Sequence, residues 1–426
     1  MAVRAGKYYD AAEIVPPKER HAMLEKRLRL AVAHAYRLAP TTRVIMDRAG
    51  VKPSGIRSFR DLEKLPVTRK TDVIEWQKSN PPYGGFLTFP REEVERVFIS
   101  PGPIYEPLHS SRIQWFARAF WAAGFRQGDV VVNTFTYHLS PAGMLFHEAL
   151  RHCGATVVVT GVGNTDIQLQ TMRDLKVNGF VGTPSFLMAL IKRAGEIGMD
   201  FKRDFAVRKA WFTGEMLAPS VRKTLEDEYG INTSQAYGVT EPGGAIAYEC
   251  DQKAGMHLMD EYFTEIIDPR TGKQLPPGEI GEIVVTPLHN KAWGLVRFGT
   301  GDLSSLTYEP CPCGRTAHRL TGIYGRAGDA VKVRGMFVVV RQADEAITGA
   351  GKVGRFQLVV TRSGERDDLL LKAELKDNSA DRESLAQEIN ERFQSTCRVK
   401  LNRIEFIPAG TLPEKYQKLT DERKWE

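Results

Sequence analysis

Four residues of the sequence have types and spacings that are typical of a metal-binding site. Cys250 and His257 form a Cys-x6-His pair, and Cys311 and Cys313 form a Cys-x-Cys pair. Three thiolates and one imidazole would fill all four positions around a tetrahedral ion, which describes structural rather than catalytic zinc. Spacing alone leaves a second interpretation equally open, in which Cys250 is a core residue, His257 is exposed and the Cys-x-Cys pair is coincidental.

Three short glycine-containing segments carry the other candidate chemistry. They are residues 236–241 (Ala-Tyr-Gly-Val-Thr-Glu), 298–302 (Phe-Gly-Thr-Gly-Asp) and 325–329 (Gly-Arg-Ala-Gly-Asp). Taken singly, a glycine beside an acidic residue usually marks a turn. In this order they resemble the motifs of the adenylate-forming superfamily of acyl-CoA synthetases. The resemblance to its phenylacetate–CoA ligase group extends to residues 163–175 and 311–316, and it covers nearly the whole chain.

This resemblance implies that ATP converts a carboxylic acid into an acyl-adenylate, from which the thiol of coenzyme A then displaces AMP. It assigns catalytic roles to Thr240 and Glu241, because a hydroxyl can donate to the α-phosphate while a carboxylate holds Mg²⁺. Asp302 would accept hydrogen bonds from ribose, and Arg326 would be a charged donor nearby. The implied nucleotide and coenzyme A contacts are Gly214, Glu215, Met216, Tyr237, Gly238, Thr240, Asp302, Arg326, Arg334 and Gly335.

The acyl pocket and the hinge of this chain depart from the family pattern. The resemblance places Tyr137 and His138 at the substrate, where relatives of the phenylacetate group have glycine in place of His138. An imidazole there would narrow or polarise the pocket, although His138 is equally compatible with a packed loop residue. Gly328 replaces an acidic hinge residue, and glycine can still accommodate the large backbone rotations of a hinge.

The segment that corresponds to the family's phosphate loop departs further. Relatives have a run of Ser, Thr and Gly closed by Lys, whereas residues 100–107 read Ser-Pro-Gly-Pro-Ile-Tyr-Glu-Pro. Pro101 and Pro103 each remove a backbone N–H that would face phosphate, and Glu106 stands about where the cation is expected. Either the rest of the ATP site suffices without this loop, or adenylation is weak or lost.

Residues 410–418 resemble the closing loop of the family, and ungapped matching places the catalytic lysine at Lys418. The resemblance implies that this ammonium neutralises charge on the carboxylate and the α-phosphate. A mobile domain would then carry it away and turn the face of Arg334 and Gly335 to coenzyme A. The alternative is a solvated lysine like its neighbours Lys415 and Lys424.

The periodicity of the chain predicts the elements that position these residues. A helix is predicted from residue 18 to about 38, and residues 94–211 alternate β-branched runs with helical ones, as βαβ units of a parallel sheet do. Ligands of such sheets bind at the carboxyl ends of the strands. The strands are predicted at residues 130–135, 155–161 and 180–184, and the loops after them at 136–141, 161–165 and 182–185.

After residue 230 short strands and turns predict an antiparallel subdomain, and near Gly328 a small α+β region begins. The predicted fold is α/β, with a large N-terminal AMP-binding domain (residues 1–327) of mixed and parallel sheets plus a β-rich subdomain. A small mobile α+β domain (residues 328–426) follows. Its strands are predicted at residues 331–340, 356–362, 369–375 and 399–406, and its helices at 342–347 and 381–393.

Composition excludes several other classes of protein. The 426 residues carry 59 Lys+Arg and 52 Asp+Glu, a mild net charge of +7 without the basic run of a nucleic-acid surface. Because no stretch approaches ~18 consecutive apolar residues, we expect no membrane association. The chain has only five cysteines, and its N-terminus has no apolar core, which together predict a cytoplasmic protein. Cys153 and Cys397 are expected to be buried. The sequence leaves open whether the chain forms a homodimer.

The predicted function is AMP-forming ligation of an aromatic carboxylic acid, phenylacetate- or benzoate-like, to coenzyme A. ATP, Mg²⁺ and coenzyme A would take part, and relatives with the same Cys/His set favour structural zinc at the four residues above. The alternative is a non-adenylating relative that binds acyl-CoA or nucleotide, or that uses a preformed activated acyl group. The ATP-site motifs favour the ligase, and residues 100–107 favour the alternative.

Overall fold

The computed structural model describes residues 6–100, 104–108, 113–288, 292–334, 336–363, 366–376 and 381–423. Its helices are α1 (Pro17–Leu38), α2 (Pro40–Arg48), α3 (Lys70–Ser79), α4 (Ala117–Ala122), α5 (Ala142–His152), α6 (Thr165–Asp174), α7 (Pro184–Glu196), α8 (Phe201–Asp204), α9 (Pro219–Lys223), α10 (Val340–Thr348) and α11 (Arg382–Cys397). Its strands are β1 (Thr68–Arg69), β2 (Arg96–Ser100), β3 (Ile104–Leu108), β4 (Val130–Asn133), β5 (Thr156–Val159), β6 (Gly179–Gly182), β7 (Lys209–Phe212), β8 (Asn232–Val239), β9 (Gly244–Glu249), β10 (Met256–Leu258), β11 (Tyr262–Ile267), β12 (Gly281–Pro287), β13 (Phe298–Ser304), β14 (Leu306–Thr307), β15 (Arg319–Leu320), β16 (Gly325–Arg326), β17 (Ala330–Val333), β18 (Met336–Val339), β19 (Val353–Ser363), β20 (Arg366–Leu375), β21 (Arg403–Ile407) and β22 (Leu419–Asp421).

The chain forms two units. The first comprises Met1–Glu265, Val284–Thr300 and Leu306–Gly322, and the second comprises Ile266–Ile283, Gly301–Ser305 and Ile323–Glu426. The predicted α/β class is confirmed. The domain boundary between residues 327 and 328 stays a prediction.

The largest sheet of the first unit has nine strands in the order β14-β15-β10-β9-β8-β7-β6-β4-β5. Strands β4 to β8 pair in parallel, as the βαβ pattern predicts. From β8 onward the pairing is antiparallel. The two regions that the sequence separates are therefore halves of one mixed sheet, and the 236–241 segment begins in the strand where they join.

Short polar caps follow the parallel strands and start the helices that cover them. The side chain of Asn164, at a φ of 49°, accepts from the Ile167 N–H and starts α6, and Thr183 does the same for α7 with Pro184 as its first residue. The helices bury a continuous apolar core against the strands, which includes Val132, Leu169, Phe180, Leu187 and Phe212. Burying one such side chain stabilises the fold by about 1.5–3 kcal/mol. This packing fixes the strand ends that carry the site.

A second sheet has the order β1-β13-β12-β11, and β1 pairs in parallel with β13. β2 and β3 form a separate antiparallel hairpin. After this hairpin a 3-10 turn, Ile113–Phe116, leads into α4. The helix predicted from residue 18 is confirmed as α1, which begins at Pro17.

In the second unit, α10 and α11 accompany a four-stranded sheet of order β21-β20-β19-β22. The strand predicted at 331–340 is wrong as one element, because β17 and β18 form a hairpin with Arg334 at a φ of 49°. Helix α11 extends beyond the predicted end to Cys397, and the carboxylate of Asp381 caps its start. Strand β22, which pairs in parallel with β19, was not predicted.

Among the described residues, none of the helices combines the length and the apolar character needed to cross a bilayer.

Candidate active site and metal centre

The predicted catalytic pair lies just beyond the end of β8. Glu241 is buried, at 7% exposure, and the Thr240 hydroxyl lies 3.4 Å from its Oε2. The other carboxylate oxygen, Oε1, is 2.7 Å from the ammonium of Lys70. A buried carboxylate, a hydroxyl and a cation therefore meet at the carboxyl end of the central strand, where ligands of α/β sheets bind.

Lys70 is a residue that the sequence analysis missed, and its position depends on a buried arginine. It is the first residue of α3 and follows β1 directly. Arg297 accepts through its carbonyl from the Thr68 N–H at 2.9 Å, and its guanidinium donates to the Leu65 carbonyl at 2.6 Å. The guanidinium also pairs with the fully buried Glu265 at 2.9 Å. These bonds hold β1, and with it Lys70, in place.

The hairpin of β2 and β3, which corresponds in sequence to the family's phosphate loop, is hydrogen-bonded to α3. The side-chain amide of Gln77 on α3 donates to the Tyr105 carbonyl at 2.8 Å, and its oxygen accepts from the Tyr105 N–H at 2.9 Å. Glu106 pairs in register with Phe98 and is buried. Pro101 and Pro103 lie outside the described residues. The predicted replacement of the loop cation by Glu106 therefore concerns a buried strand residue.

Gly214, Glu215 and Met216, which are predicted to contact the nucleotide, lie between β7 and α9. Gly214 has a φ of +80°, which favours glycine, and a Cβ there would lie 3.8 Å from the Phe135 ring. The Glu215 carboxylate accepts from the Ser185 hydroxyl at 2.8 Å. Met216 is partly exposed, and the N–H of Leu217 donates to the side chain of Gln235 on β8. The segment is thus hydrogen-bonded to the first turn of α7 and to β8.

Tyr237 and Gly238 occupy a bulge between β8 and β9. A Cβ on Gly238 would lie 2.7 Å from the Gly244 carbonyl oxygen, so that only glycine lets the strands approach here. Tyr237 is buried at 8% exposure. The bulge changes the direction of the strand just before the predicted catalytic pair.

The predicted acyl-pocket residues differ in burial. The Tyr137 hydroxyl accepts from Asn133 at 2.8 Å and lies 3.4 Å from Nδ1 of His147, and its burial raises the pKa of Tyr137. Tyr137 is therefore a neutral hydroxyl at physiological pH. His138 is exposed, and its N–H donates to the Thr136 hydroxyl at 3.1 Å.

Next to the Gly214 segment lies a cluster of rings, of which Phe135 is partly exposed and the other four are buried. We call this cluster the aromatic wall: Phe116, Phe120, Phe135, Phe146 and Trp211. Ring centroids are 5.0 Å apart for Phe135 and Phe146, and 4.5 Å apart for Phe120 and Trp211. A Cβ on Gly244 would lie 3.0 Å from Phe116. The aromatic wall thus contacts the backbone at Gly214 through Phe135 and at Gly244 through Phe116.

In the second unit, Asp302 and Arg326 are register partners of β13 and β16, and their side chains are 2.8 Å apart. Arg326 is 61% exposed, so this pair is weak and can give way to a ligand. The Arg334 N–H donates to the Asp367 carboxylate at 3.0 Å. Gly335 lies outside the described residues.

Lys418 immediately precedes β22 in the second unit. Its ammonium is 2.9 Å from the Asp344 carboxylate and 5.1 Å from the ring centroid of Phe356. Both side chains of the ion pair are about two-fifths exposed. The backbone carbonyl of Lys418 accepts a hydrogen bond from the Leu358 N–H at 2.8 Å, which joins the lysine to the four-stranded sheet.

The structure brings the four predicted metal ligands together in the first unit. All are buried, and their ligand atoms lie within 4.8 Å of one another. The sulfurs of Cys250 and Cys311 are 3.7 Å apart, and the Cys313 sulfur is 3.3 Å from His257 Nε2. Zinc–sulfur bonds of about 2.3 Å in a tetrahedron place two sulfurs about 3.8 Å apart. The donor set therefore fits a zinc ion.

The residues around the Cys/His cluster affect the orientation and the protonation of the predicted metal ligands. The His257 Nδ1 lies 3.0 Å from the Ala317 carbonyl, which orients Nε2 toward the thiols. Burial lowers the pKa of His257 to about 4, so the imidazole is neutral, and burial raises the pKa of Cys250 to about 12. A metal would displace the Cys250 proton on binding. Cys153 and Cys397 are buried, as predicted, and neither forms a disulfide with another described residue.

Comparison with known proteins adds family information to this geometry. Residues 108–288 match the AMP-binding enzyme family, and residues 336–423 match the AMP-binding enzyme C-terminal domain. The chain is 31% identical to phenylacetate-coenzyme A ligase of Thermus thermophilus, over 98% of this chain and 100% of that protein. It is 30% identical to phenylacetate-coenzyme A ligase of Escherichia coli, over 95% and 94% of the two chains.

A solved structure shares nearly the whole fold. The crystal structure of an open conformation of 2-hydroxyisobutyryl-CoA ligase, in complex with 2-HIB-AMP and CoA, has a TM-score of 0.91 to this chain. The two are 26% identical, and the alignment covers 99% of this chain and 96% of that one.

Proposed function

Because the chain belongs to the adenylate-forming acyl-CoA synthetases, in their phenylacetate–CoA ligase-like group, we propose that its substrate is an aromatic carboxylic acid. The chain is an acid–thiol ligase that joins a carboxylic acid to coenzyme A through an acyl-adenylate, with ATP as the second substrate. The class of acid, the roles of individual residues and the metal ions are the parts proposed below.

The aromatic wall is the observation that carries the substrate class. Its partly exposed ring, Phe135, lies beside Gly214, and Phe116 lies beside Gly244, which follows Glu241 by three residues in sequence. Aromatic rings pack favourably against one another in offset or edge-to-face geometry, so this wall suits a phenylacetate- or benzoate-like ring. Two similar proteins are named for phenylacetate, but the similar solved structure is named for an aliphatic acid. Because these names disagree, we base the proposed substrate class on the aromatic wall.

We propose that Lys70 supplies the positive charge that the family's phosphate-loop lysine supplies elsewhere. Its ammonium already faces Glu241, and Gln77 joins its helix to the hairpin that carries the changed loop. Mg²⁺ on Glu241 and a cation beside it would both attract the phosphates of ATP. This arrangement supports adenylation despite the prolines, and it weakens the case for a non-adenylating relative.

The other nucleotide contacts follow the family motif. Gly214, Glu215, Met216, Tyr237 and Gly238 would bound the adenine. Thr240 would donate to the α-phosphate, Asp302 would hold the ribose hydroxyls and Arg326 would donate beside them. Arg334 and Gly335 would face coenzyme A, while Tyr137 and His138 would contact the acid. Zinc at the Cys/His cluster would be structural, since four protein ligands leave no open position.

The test is pyrophosphate release with ATP and Mg²⁺, measured for a panel of aryl and aliphatic acids with and without coenzyme A. We expect arylacetates or benzoates to have the highest kcat/KM. If aliphatic hydroxy acids have the highest kcat/KM instead, the aromatic assignment is wrong and the ligase stands. If no acid releases pyrophosphate but a supplied aryl-adenylate still yields thioester, the non-adenylating alternative is correct.

A further inference from the structure

Residues 6–20, which we call the strap, lie against the Cys-x-Cys loop of the metal centre. The Tyr8 hydroxyl donates to the carbonyl of Cys313 at 2.9 Å. Thr316, just beyond the loop, donates its N–H to the Glu13 carbonyl at 3.0 Å and its hydroxyl to the Val15 carbonyl at 2.5 Å. The backbone of one metal ligand is therefore bonded directly to the strap.

Glu13 is the centre of this contact. It is buried at 4% exposure in a turn that the Asp10 side chain caps. Its carboxylate pairs with the buried Arg315 at 2.6 Å and accepts from the Tyr248 hydroxyl at 3.0 Å. The Arg315 N–H in turn lies 3.3 Å from the sulfur of Cys313. A buried carboxylate with these partners needs the Cys-x-Cys loop in this position, since a buried charge that loses its partner is costly.

The strap also contacts α4, which carries part of the aromatic wall. Arg118 on α4 pairs with the Asp10 carboxylate at 2.9 Å, and the Trp121 indole N–H donates to the Gly6 carbonyl at 3.2 Å. Phe120 of the aromatic wall lies on the same helix. The strap thus contacts both the loop of the metal centre, through Tyr8 and Glu13, and the helix that carries Phe120 of the aromatic wall.

We propose that zinc in the Cys/His centre holds the strap in place, and that zinc loss releases the strap and weakens binding of the acid. The inference rests on the proposed zinc site. Without the ion, the three cysteines and the histidine are no longer joined through a common metal. The Cys-x-Cys loop that Tyr8 and Glu13 contact then loses the metal bonds that hold it in place. Because coupling between two binding events is reciprocal, an undocked strap must also lower zinc affinity.

The experiment compares amide hydrogen exchange of residues 6–20 in the full-length protein as purified and after zinc removal by a chelator. We expect exchange in the strap to be at least tenfold faster without zinc, and the KM for the acid to rise several-fold. Strap exchange that is unchanged by zinc removal overturns the inference while leaving the zinc site intact. A purified protein without zinc overturns the zinc site and the inference together.

A strap variant tests the reverse direction of the coupling. Glu13→Gln removes the charge that pairs with Arg315, and we expect it to bind zinc at least tenfold more weakly in competition with a chromogenic chelator. Glu19→Gln, an exposed change in the same segment, should bind zinc as the wild type does. Equal zinc affinity of Glu13→Gln and wild type would contradict the coupling. The chelator experiment on the wild type remains decisive if Glu13→Gln does not fold.

Discussion

The ion pair of Lys70 and Glu241 concentrates opposite charges beside the predicted reacting phosphates. Glu241 is nearly buried, while Lys70 keeps 39% of its side chain exposed and can turn toward a ligand. A charge in a partly dry site acts more strongly on a transition state than the same charge in water. The lysine therefore has the chemistry and the freedom to replace a cation of the phosphate loop.

Replacing this lysine should separate the two half-reactions. We expect Lys70→Gln to lower kcat/KM for ATP in pyrophosphate release by ~10²–10³-fold, the usual cost of losing one preorganised charged donor. Thioester formation from a supplied acyl-adenylate should change little, because the β- and γ-phosphates are then absent. Lys70→Arg should restore part of the activity, because it keeps the charge.

The matched control is Lys78→Gln on the same helix, where the exposed lysine pairs only with the exposed Glu75 among the described residues. Its pyrophosphate release should equal that of the wild type. Loss of pyrophosphate release in both variants would mean that α3 matters as a structure rather than through the charge of Lys70.

At the scale of single residues, the sequence predicts site residues that belong to a recognisable motif. It misses site residues that reach the site only through the folding of distant parts of the chain. The Cys/His set has diagnostic residue types and spacing, and the structure brings it together. Lys70 has no such signal, since it reaches Glu241 only through the pairing of β1 with β13 and the buried Arg297. The aromatic wall is likewise assembled from several elements, so no local spacing reveals it.

At the scale of elements, periodicity predicts the strands better than their pairing. The parallel and antiparallel regions are two halves of one sheet because β8 pairs on both edges, which no residue pattern records. The 331–340 run reads as one strand because Arg334 gives no sign of its left-handed φ. β22 is three residues long, too short for a pattern, and it is held by pairing with β19.

Strand β22 depends on a charged cluster that follows Lys418 in sequence. Arg423 donates to the Asp421 carboxylate at 2.7 Å and 2.6 Å, and it pairs with Asp367 at 3.0 Å. The hydrogen bonds from Arg423 lower the pKa of Asp421 below its usual value. Because the folded pKa is lower than the unfolded one, the stabilisation is full at neutral pH, declines below about pH 4 and is lost as the pH falls through the lowered pKa of the folded state.

We expect Asp421→Asn to weaken the docking of β22 by about 1 kcal/mol at pH 7. Amide exchange in residues 419–421 should then be about fivefold faster than in the wild type at pH 7, and the ratio should be smaller at pH 3, because the stabilisation declines as the pH falls toward the lowered pKa of Asp421. Asp227→Asn, which removes an exposed carboxylate of the first unit, should leave this exchange unchanged. A ratio that is the same at both pH values would rule out the ionised carboxylate as the cause.

At the scale of the whole molecule, the predicted chemistry is divided between the two units. Thr240, Glu241 and Lys70 belong to the first, and Asp302, Arg326 and Lys418 belong to the second. The family resemblance predicts that the C-terminal domain moves between adenylation and thioester formation. The ion pair of Lys418 with Asp344 is partly exposed, so breaking it costs at most about 1 kcal/mol. Lys418 can therefore leave Asp344 whenever a more negative partner is offered.

This division predicts that one lysine of the second unit serves one half-reaction only. Lys418→Ala should lower adenylate formation, measured as pyrophosphate release, by at least ~10²-fold, because the positive charge near the carboxylate and α-phosphate is lost. Thioester formation from supplied acyl-adenylate should stay near the wild-type rate, since it would use the face with Arg334. Lys415→Ala, an exposed change in the same segment, should alter neither rate.

Near-normal adenylation by Lys418→Ala would show that another cation serves the α-phosphate. An equal fall in both half-reactions would instead mean that Lys418 supports the four-stranded sheet through Asp344 and β22, and that the predicted exchange of domain positions does not depend on it.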